Sequence, residues 1–314
     1  MPHRLFLGLL SLGLAIAAPA FAADSNDETS VFTSERVFNL EYAADPQISP
    51  DGRTIVYARR SLSRKSDRAT GSLWSIDVRT ASQQPLLQDE KVTAGPRFSP
   101  DGERLIYRSG GALRILYLAS GRSFTLAELE RSPSAPVWSP DGTAIAFSMF
   151  VPAEAPSFAK PPKAPKDADW AKPFRAFDNL VFRFDGQGYL EKGAVQVFTV
   201  PAEGGTPRQI TSGATPFSNP AWLDNDALLV QGNDSPAREL DPIEREIDRV
   251  DLQTLAREPF IMRDGPVAAP TVSPNGQLVD YVGFEDQLMS HQQLDLYVSN
   301  NKGSNVQNLT ADYD

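Results

Sequence analysis

The phrase Ser-Pro-Asp-Gly stands at Ser49–Gly52, Ser99–Gly102 and Ser139–Gly142, and returns with one change as Ser273-Pro274-Asn275-Gly276. Each copy follows a proline and a short apolar step (Pro46-Gln47-Ile48, Pro96-Arg97-Phe98, Pro136-Val137-Trp138, Pro270-Thr271-Val272) and leads into a β-rich run. Proline presets φ for the second turn position, Asp or Asn bonds nearby backbone, and Gly supplies positive φ without steric cost. The phrase is therefore a turn between two strands, and a chain built on its recurrence is a series of hairpins.

The copies begin at 49, 99 and 139, spacings of 50 and then 40 residues, the range in which four-stranded propeller blades repeat. The next full copy waits until 273, but Pro220-Ala221-Trp222-Leu223-Asp224 parallels Pro136-Val137-Trp138-Ser139-Pro140-Asp141 at an offset of 84. That offset is one period plus about 44 residues, the size of an insertion at 151–194. The expectation is an all-β propeller with five four-stranded blades, at about 45–90, 95–130, 135–213, 219–264 and 269–311.

Strand assignments follow the repeat. The first blade reads as Pro46–Ser49, Thr54–Arg59, Leu73–Val78 and Gln84–Leu87. The later ones give Arg104–Arg108, Leu113–Leu118 and Phe124–Ala127; Ala144–Ser148, Val195–Val200 and Arg208–Thr211; Ala227–Gln231, Ile247–Leu252 and Pro259–Met262; Leu278–Val282, Leu294–Ser299 and Val306–Thr310. Second strands such as Ile55-Val56-Tyr57-Ala58 and Ala144-Ile145-Ala146-Phe147 are apolar on consecutive residues, as a sheet covered on both faces requires.

Ahead of the repeats, Met1–Ala22 reads as a signal peptide: Arg4, an apolar run from Leu5 to Ala18, and the small-x-small site Ala20-Phe21-Ala22. The apolar run is short for a bilayer core of roughly 30 Å, so export to the periplasm or medium is expected rather than a membrane span. Residues 23–44 form a polar lead-in. With no cysteine in 314 residues, disulfides play no part, and a net charge of −10 argues against nucleic acid or an anionic membrane surface as partner.

The phrase Asp45-Pro46-Gln47-Ile48-Ser49-Pro50-Asp51-Gly52 and the blade ending Gly204-Gly205-Thr206-Pro207-Arg208-Gln209-Ile210-Thr211 resemble the amino-terminal propeller of prolyl oligopeptidase-family serine peptidases. The third-repeat insertion, with Trp170 and then Val181-Phe182-Arg183-Phe184-Asp185-Gly186-Gln187-Gly188-Tyr189-Leu190, is similar to the excursion of the acylaminoacyl-peptidase and dipeptidyl-aminopeptidase branch. The turn phrase by itself is shared with TolB-type binding propellers, which supply the alternative reading of a non-enzymatic module for a protein or peptide partner. The peptidase resemblance implies about seven blades, of which five are here, followed by an α/β-hydrolase domain that carries the triad. It implies short peptides as substrates, a propeller that gates their access, and leaves assembly into a homo-oligomer open.

The residues themselves carry no catalytic machinery. There is no Gly-x-Ser-x-Gly elbow, Gly121-Arg122-Ser123 running on into Phe124-Thr125, and outside the leader His291 is the one histidine. No catalytic, cofactor or metal residue is assigned: Asp51, Asp101 and Asp141 read as turn residues, Asp224-Asn225-Asp226 and Asn233-Asp234 lack the rest of a calcium loop, and Asp185-Gly186-Gln187-Gly188 lacks the lysine and helix of a phosphate loop. The charged run Arg238–Arg249 reads as a solvated loop. In the insertion, the stretch 152–166 is rich in proline and lysine and should be extended, while Trp170, Phe174, Phe177, Phe182, Phe184 and Tyr189 need burial somewhere: on their own blade, on a hydrolase domain or on another subunit.

Overall fold

Each turn phrase closes the first hairpin of a four-stranded antiparallel sheet. The computed structural model describes residues 34–87, 92–153, 162–170, 177–289 and 291–313, and holds five such sheets. The residues read as a signal peptide and the first half of the lead-in, 23–33, lie outside that set. A short 3-10 helix, Ser34–Asn39, comes first.

The first blade is β1 (Glu41–Ile48), β2 (Thr54–Ser63), β3 (Arg68–Asp77) and β4 (Gln83–Leu87); the second is β5 (Val92–Phe98), β6 (Arg104–Ser109), β7 (Ala112–Tyr117) and β8 (Arg122–Ala127). The third is β9 (Ser134–Trp138), β10 (Ala144–Pro152), then an excursion holding the small hairpin β11 (Arg183–Phe184) and β12 (Gly188–Tyr189), then β13 (Gly193–Pro201) and β14 (Arg208–Gln209). The fourth is β15 (Phe217–Trp222), β16 (Ala227–Gly232), β17 (Glu246–Asp251) and β18 (Arg257–Ile261); the fifth is β19 (Val267–Val272), β20 (Leu278–Gly283), β21 (Asp295–Asn300) and β22 (Gln307–Asn308). The first strands of consecutive blades pack on one another, so they line the axis.

The turns are built as expected, with a serine as hub. Ser139 Oγ donates to Asp141 Oδ1 (2.6 Å) and accepts from the amide of Ala144 (2.9 Å), while Asp141 Oδ1 accepts from Thr143 N (3.0 Å). Ser49 with Asp51, Ser99 with Asp101, and Ser273 with Asn275 repeat the pattern, each followed by glycine at positive φ: 72° at Gly52, 74° at Gly102, 70° at Gly142 and 68° at Gly276.

A second recurrent device was not read from the sequence. The residue before the proline of every first strand has positive φ: Asp45 (54°), Gly95 (81°), Ala135 (46°), Asn219 (50°) and Ala269 (53°). Each lies where the pairing of first and second strand shifts register, so the X-Pro step is a bulge that bends the axial strand.

Consecutive apolar residues in second strands are explained by the blade stacking. In β16 all six residues are buried; Leu228 and Val230 join the core shared with the third blade, and Ala227 and Leu229 the core shared with the fifth. Similarly, Ile145 and Phe147 of β10 pack toward the second blade and Ala146 toward the fourth. The tryptophans that end the first strands of blades three and four add a polar link: Trp138 Nε1 donates to Arg97 O of the preceding blade (3.0 Å) and Trp222 Nε1 to Val137 O (3.3 Å), the same step repeated at the offset seen in the sequence.

Four apolar clusters thus join five blades in series. Among the described residues no comparable cluster joins the fifth blade to the first. Ile48, which occupies the position of Trp138 and Trp222, is 65% exposed where they are 8% and 7% exposed.

Several strands run longer than expected, β1 starting at Glu41, β2 reaching Ser63, β3 starting at Arg68 and β10 reaching Pro152, and two run shorter. The fourth strands of blades three and five are two residues long, because the threonine that follows leaves the ladder: Thr211 Oγ1 accepts from Val197 N and Thr310 Oγ1 from Leu296 N, both at 2.9 Å. A hydroxyl there replaces a backbone carbonyl as acceptor.

Candidate functional site

The third blade's excursion is the largest departure from the repeat. β10 and β13 pair without a break from Ala144↔Pro201 to Pro152↔Gly193, so the excursion stands on the end of an extended hairpin. It is tied down at its base by ion pairs, Lys192 to Asp178 (2.5 Å) and Arg131 to Glu191 (2.7 Å), and to the fourth blade by Leu180 N donating to Glu239 Oε2 (3.1 Å). The Pro/Lys-rich half is exposed and without regular structure over 162–170, residues 154–161 lying outside the described set.

The aromatic half folds onto itself. Phe177 stands 4.8 Å from Phe182 and 5.3 Å from Tyr189, ring centre to ring centre, with Phe182 and Tyr189 at 6.5 Å. Trp170, Phe177, Phe182, Phe184 and Tyr189 are nevertheless 43–55% exposed, so neither the home blade nor any other described element buries them; Phe174 is outside the described residues. The arm therefore presents an exposed aromatic patch.

Beside it lies a cavity of about 500 Å³, walled by Val181 of the arm, β15 and β16, and the 233–245 loop, with Arg238, Arg245 and Gln231 on its lining. Gln231 is only 6% exposed. Its Oε1 accepts from Asn219 Nδ2 (3.0 Å) and from the amide of Ala269 in the next blade (3.2 Å). A second cavity, about 560 Å³ between blades four and five, is lined by Arg263, Tyr281 and Glu285. There the guanidinium is already engaged, paired with Glu285 at 3.0 Å and stacked 4.1 Å over Tyr297.

The charged run Arg238–Arg249 divides in two. Residues up to 245 form the loop, as expected; Glu246–Asp251 is strand β17, and Asp248 is buried at 3% exposure. Burial pushes its carboxyl above the ordinary range, and Arg257, which bonds it at 2.5 Å while also reaching Asp234 at 2.6 Å, pulls it back. Polar residues in β17 had carried no sign that one of them was a buried ion-pair partner.

The other residues weighed in the sequence fall into structural settings. The Ser49 hydroxyl, then the Arg53 amide, holds Asp51 below the ordinary carboxylate range, and at Asp141 the Ser139 hydroxyl acts likewise. Asp224 Oδ1 accepts from Asp226 N, Asn233 Oδ1 from Ser235 N, and Asp185–Gly188 is the turn of the arm's hairpin. His291 is exposed, and Ser123 Oγ accepts from Arg114. No group of three or more metal-ligating side chains occurs among the described residues, and no described helix is long and apolar enough to cross a membrane.

The serially packed blades thus carry an exposed aromatic arm beside a polar recess. The resemblance to peptidase propellers is returned by comparison with known proteins. The chain is 26% identical over 216 residues, 65% of its length, to the uncharacterized peptidase YuxL of Bacillus subtilis, and covers 32% of that protein. It is 32% identical over 97 residues, 30% of its length, to the Tol-Pal system protein TolB of Anaeromyxobacter dehalogenans, covering 22% of that protein. Among solved structures, Pyrococcus horikoshii acylaminoacyl peptidase superposes with a TM-score of 0.64 at 14% identity, over 88% of this chain and 40% of that one. A putative TolB from Agrobacterium tumefaciens does so at 0.56 and 16% identity, over 86% and 80%. These likenesses establish the propeller fold, and no protein-family model matches the chain. The chain spans about a third of the length of its peptidase relative.

Proposed function

We propose that this chain is the amino-terminal propeller portion of an exported serine peptidase that hydrolyses short peptides, and that it gates access to a hydrolase domain. The observation that carries the reading is the length of the match to a peptidase: 65% of the chain aligns with YuxL, against 30% with TolB. The rigid, serially packed blades suit a filter, since extended peptides pass where folded proteins do not. Hydrolysis would follow the acyl-enzyme route, a serine activated by histidine with backbone donors on the oxyanion. None of those groups is assigned to these residues.

The test is made on the whole protein. It should label with a fluorophosphonate probe and cleave short peptides while sparing folded proteins, and the 314-residue chain alone should do neither. Labelling of the chain alone, or no peptide cleavage by the whole protein, would refute the proposal. The second reading, a TolB-type binding module, rests on the 32% identity over 97 residues. It predicts no labelling of any form of the protein and capture of a protein partner.

A further inference from the structure

The recess beside the arm has an unbalanced chemistry. Gln231 is more than nine-tenths buried, and both hydrogen bonds to its carboxamide use Oε1 as acceptor. Its Nε2, with two N–H donors, has no partner among the described residues, although the residue lines the cavity. Arg238 and Arg245 line the same cavity, and neither guanidinium has an ion-pair or hydrogen-bond partner among the described residues. Glu239, the acidic residue of the lining, is committed to the amide of Leu180. In a chain of net charge −10, where arginines such as Arg97, Arg104, Arg249, Arg257 and Arg263 are paired with carboxylates, two open guanidiniums that line the same cavity as a buried carboxamide donor form an acceptor-seeking site.

We propose that this recess holds the free α-carboxylate of a short peptide. Arg238 and Arg245 neutralise its charge, Gln231 Nε2 donates to one oxygen, and the terminal apolar side chain lies against Phe177, Phe182 and Tyr189. The charge fits a carboxylate, and the size of the cavity, about 500 Å³, fits a terminal residue rather than a folded surface. Phe182 of the exposed aromatic cluster directly follows Val181, which lines the recess, so the arm's aromatic face adjoins the fourth-blade residues that receive the carboxylate. The inference deepens the peptidase reading and rests on it for the meaning of the bound peptide, but the site lies wholly within this chain and is measurable on it.

The test is fluorescence anisotropy with labelled Ala-Ala-Phe carrying a free carboxyl terminus, the same peptide amidated, and an amidated peptide with an internal glutamate. Binding of the free acid about tenfold or more tighter than both amides is expected. The R238A/R245A double variant should lose that preference, Q231L should weaken it, and R263A, at the other cavity, should leave it unchanged. Thermal melting of each variant checks folding; if Q231L melts early, the changes at half-buried Arg238 and exposed Arg245 keep the test decisive. Equal binding of acid and amide, equal binding of the internal-glutamate peptide, or unchanged binding by a folded double variant would overturn the proposal. Carboxylate-selective binding without peptide hydrolysis by the whole protein would refute the peptidase reading alone. Hydrolysis with no carboxylate preference would refute this site alone.

Discussion

All six residues of β16 are buried, whereas Phe177, Phe182, Phe184 and Tyr189 of the arm are 44%, 43%, 55% and 52% exposed. Both regions are rich in apolar side chains, yet one is consumed by its neighbours and the other is left open to solvent. In the blades many polar groups also have a use: the turn serines bond their aspartates, the tryptophans bond the preceding blade, and threonines finish the outer ladders, while Ser148 Oγ and the Tyr281 hydroxyl are buried without a partner. The recess under the arm gathers several open donors, those of Gln231, Arg238 and Arg245. Apolar packing is complete in the scaffold, and the open aromatic face and recess are left to the proposed peptide.

That contrast can be broken most severely at the core. Phe147→Ala removes a fully buried ring stacked 5.6 Å from Phe198, and should cost about 3–5 kcal/mol in urea unfolding. Phe184→Ala in the arm should cost less than about 0.5 kcal/mol by the same measurement. Similar losses at both sites would erase the distinction between scaffold and contact surface.

Next in size is the buried carboxylate of β17. Arg257→Ala strands Asp248 and should cost about 2–4 kcal/mol near neutral pH, with much of the loss recovered by adding Asp248→Asn. The pH dependence sharpens this. Because the folded-state pKa of Asp248 is raised, its contribution is fully present below the ordinary aspartate value and is lost as pH rises through the folded value. Without Arg257 to pull it back, that loss should be larger in the variant, read as a steeper fall in unfolding midpoint as pH rises above the ordinary aspartate range. A parallel profile for both proteins would contradict the assignment.

Smaller effects separate the two recurrent turns. Ser139→Ala leaves the Ala144 amide without its side-chain acceptor and should cost about 1–2 kcal/mol. Ala135→Gly relieves an alanine at φ 46° but loosens the unfolded chain, so a gain of no more than about 1 kcal/mol in denaturant midpoint is expected. A clear destabilisation would mean that the bulge relies on the alanine methyl.

The blades were legible because their physics is local and repeated. Pro, Asp and Gly fix the turn, and double burial shows as consecutive apolar residues, so four strands per blade and the insertion between β10 and β13 followed from spacing. The bulge before each axial proline was not, because Asp45, Gly95, Ala135, Asn219 and Ala269 share a backbone angle and no side-chain chemistry. The threonine endings were missed because Ile210-Thr211 and Leu309-Thr310 are as good strand formers as ladder enders. The recess was hidden more deeply. Gln231 sits in β16, Arg238 and Arg245 in a charged loop, and Val181 some fifty residues earlier in the arm, so only the folding of arm onto blade gathers them. The charged run had been read as solvated, which holds for its loop but not for Asp248.

The most direct measurement is amide hydrogen exchange on the 314-residue chain with and without the free-acid tripeptide. The account predicts slowed exchange confined to residues 177–190 and 231–245, with the strands of the first, second and fifth blades unchanged. Slowing spread along the blades, or none in the arm and its facing loop, would contradict the division of this molecule into a finished scaffold and an open receptor surface.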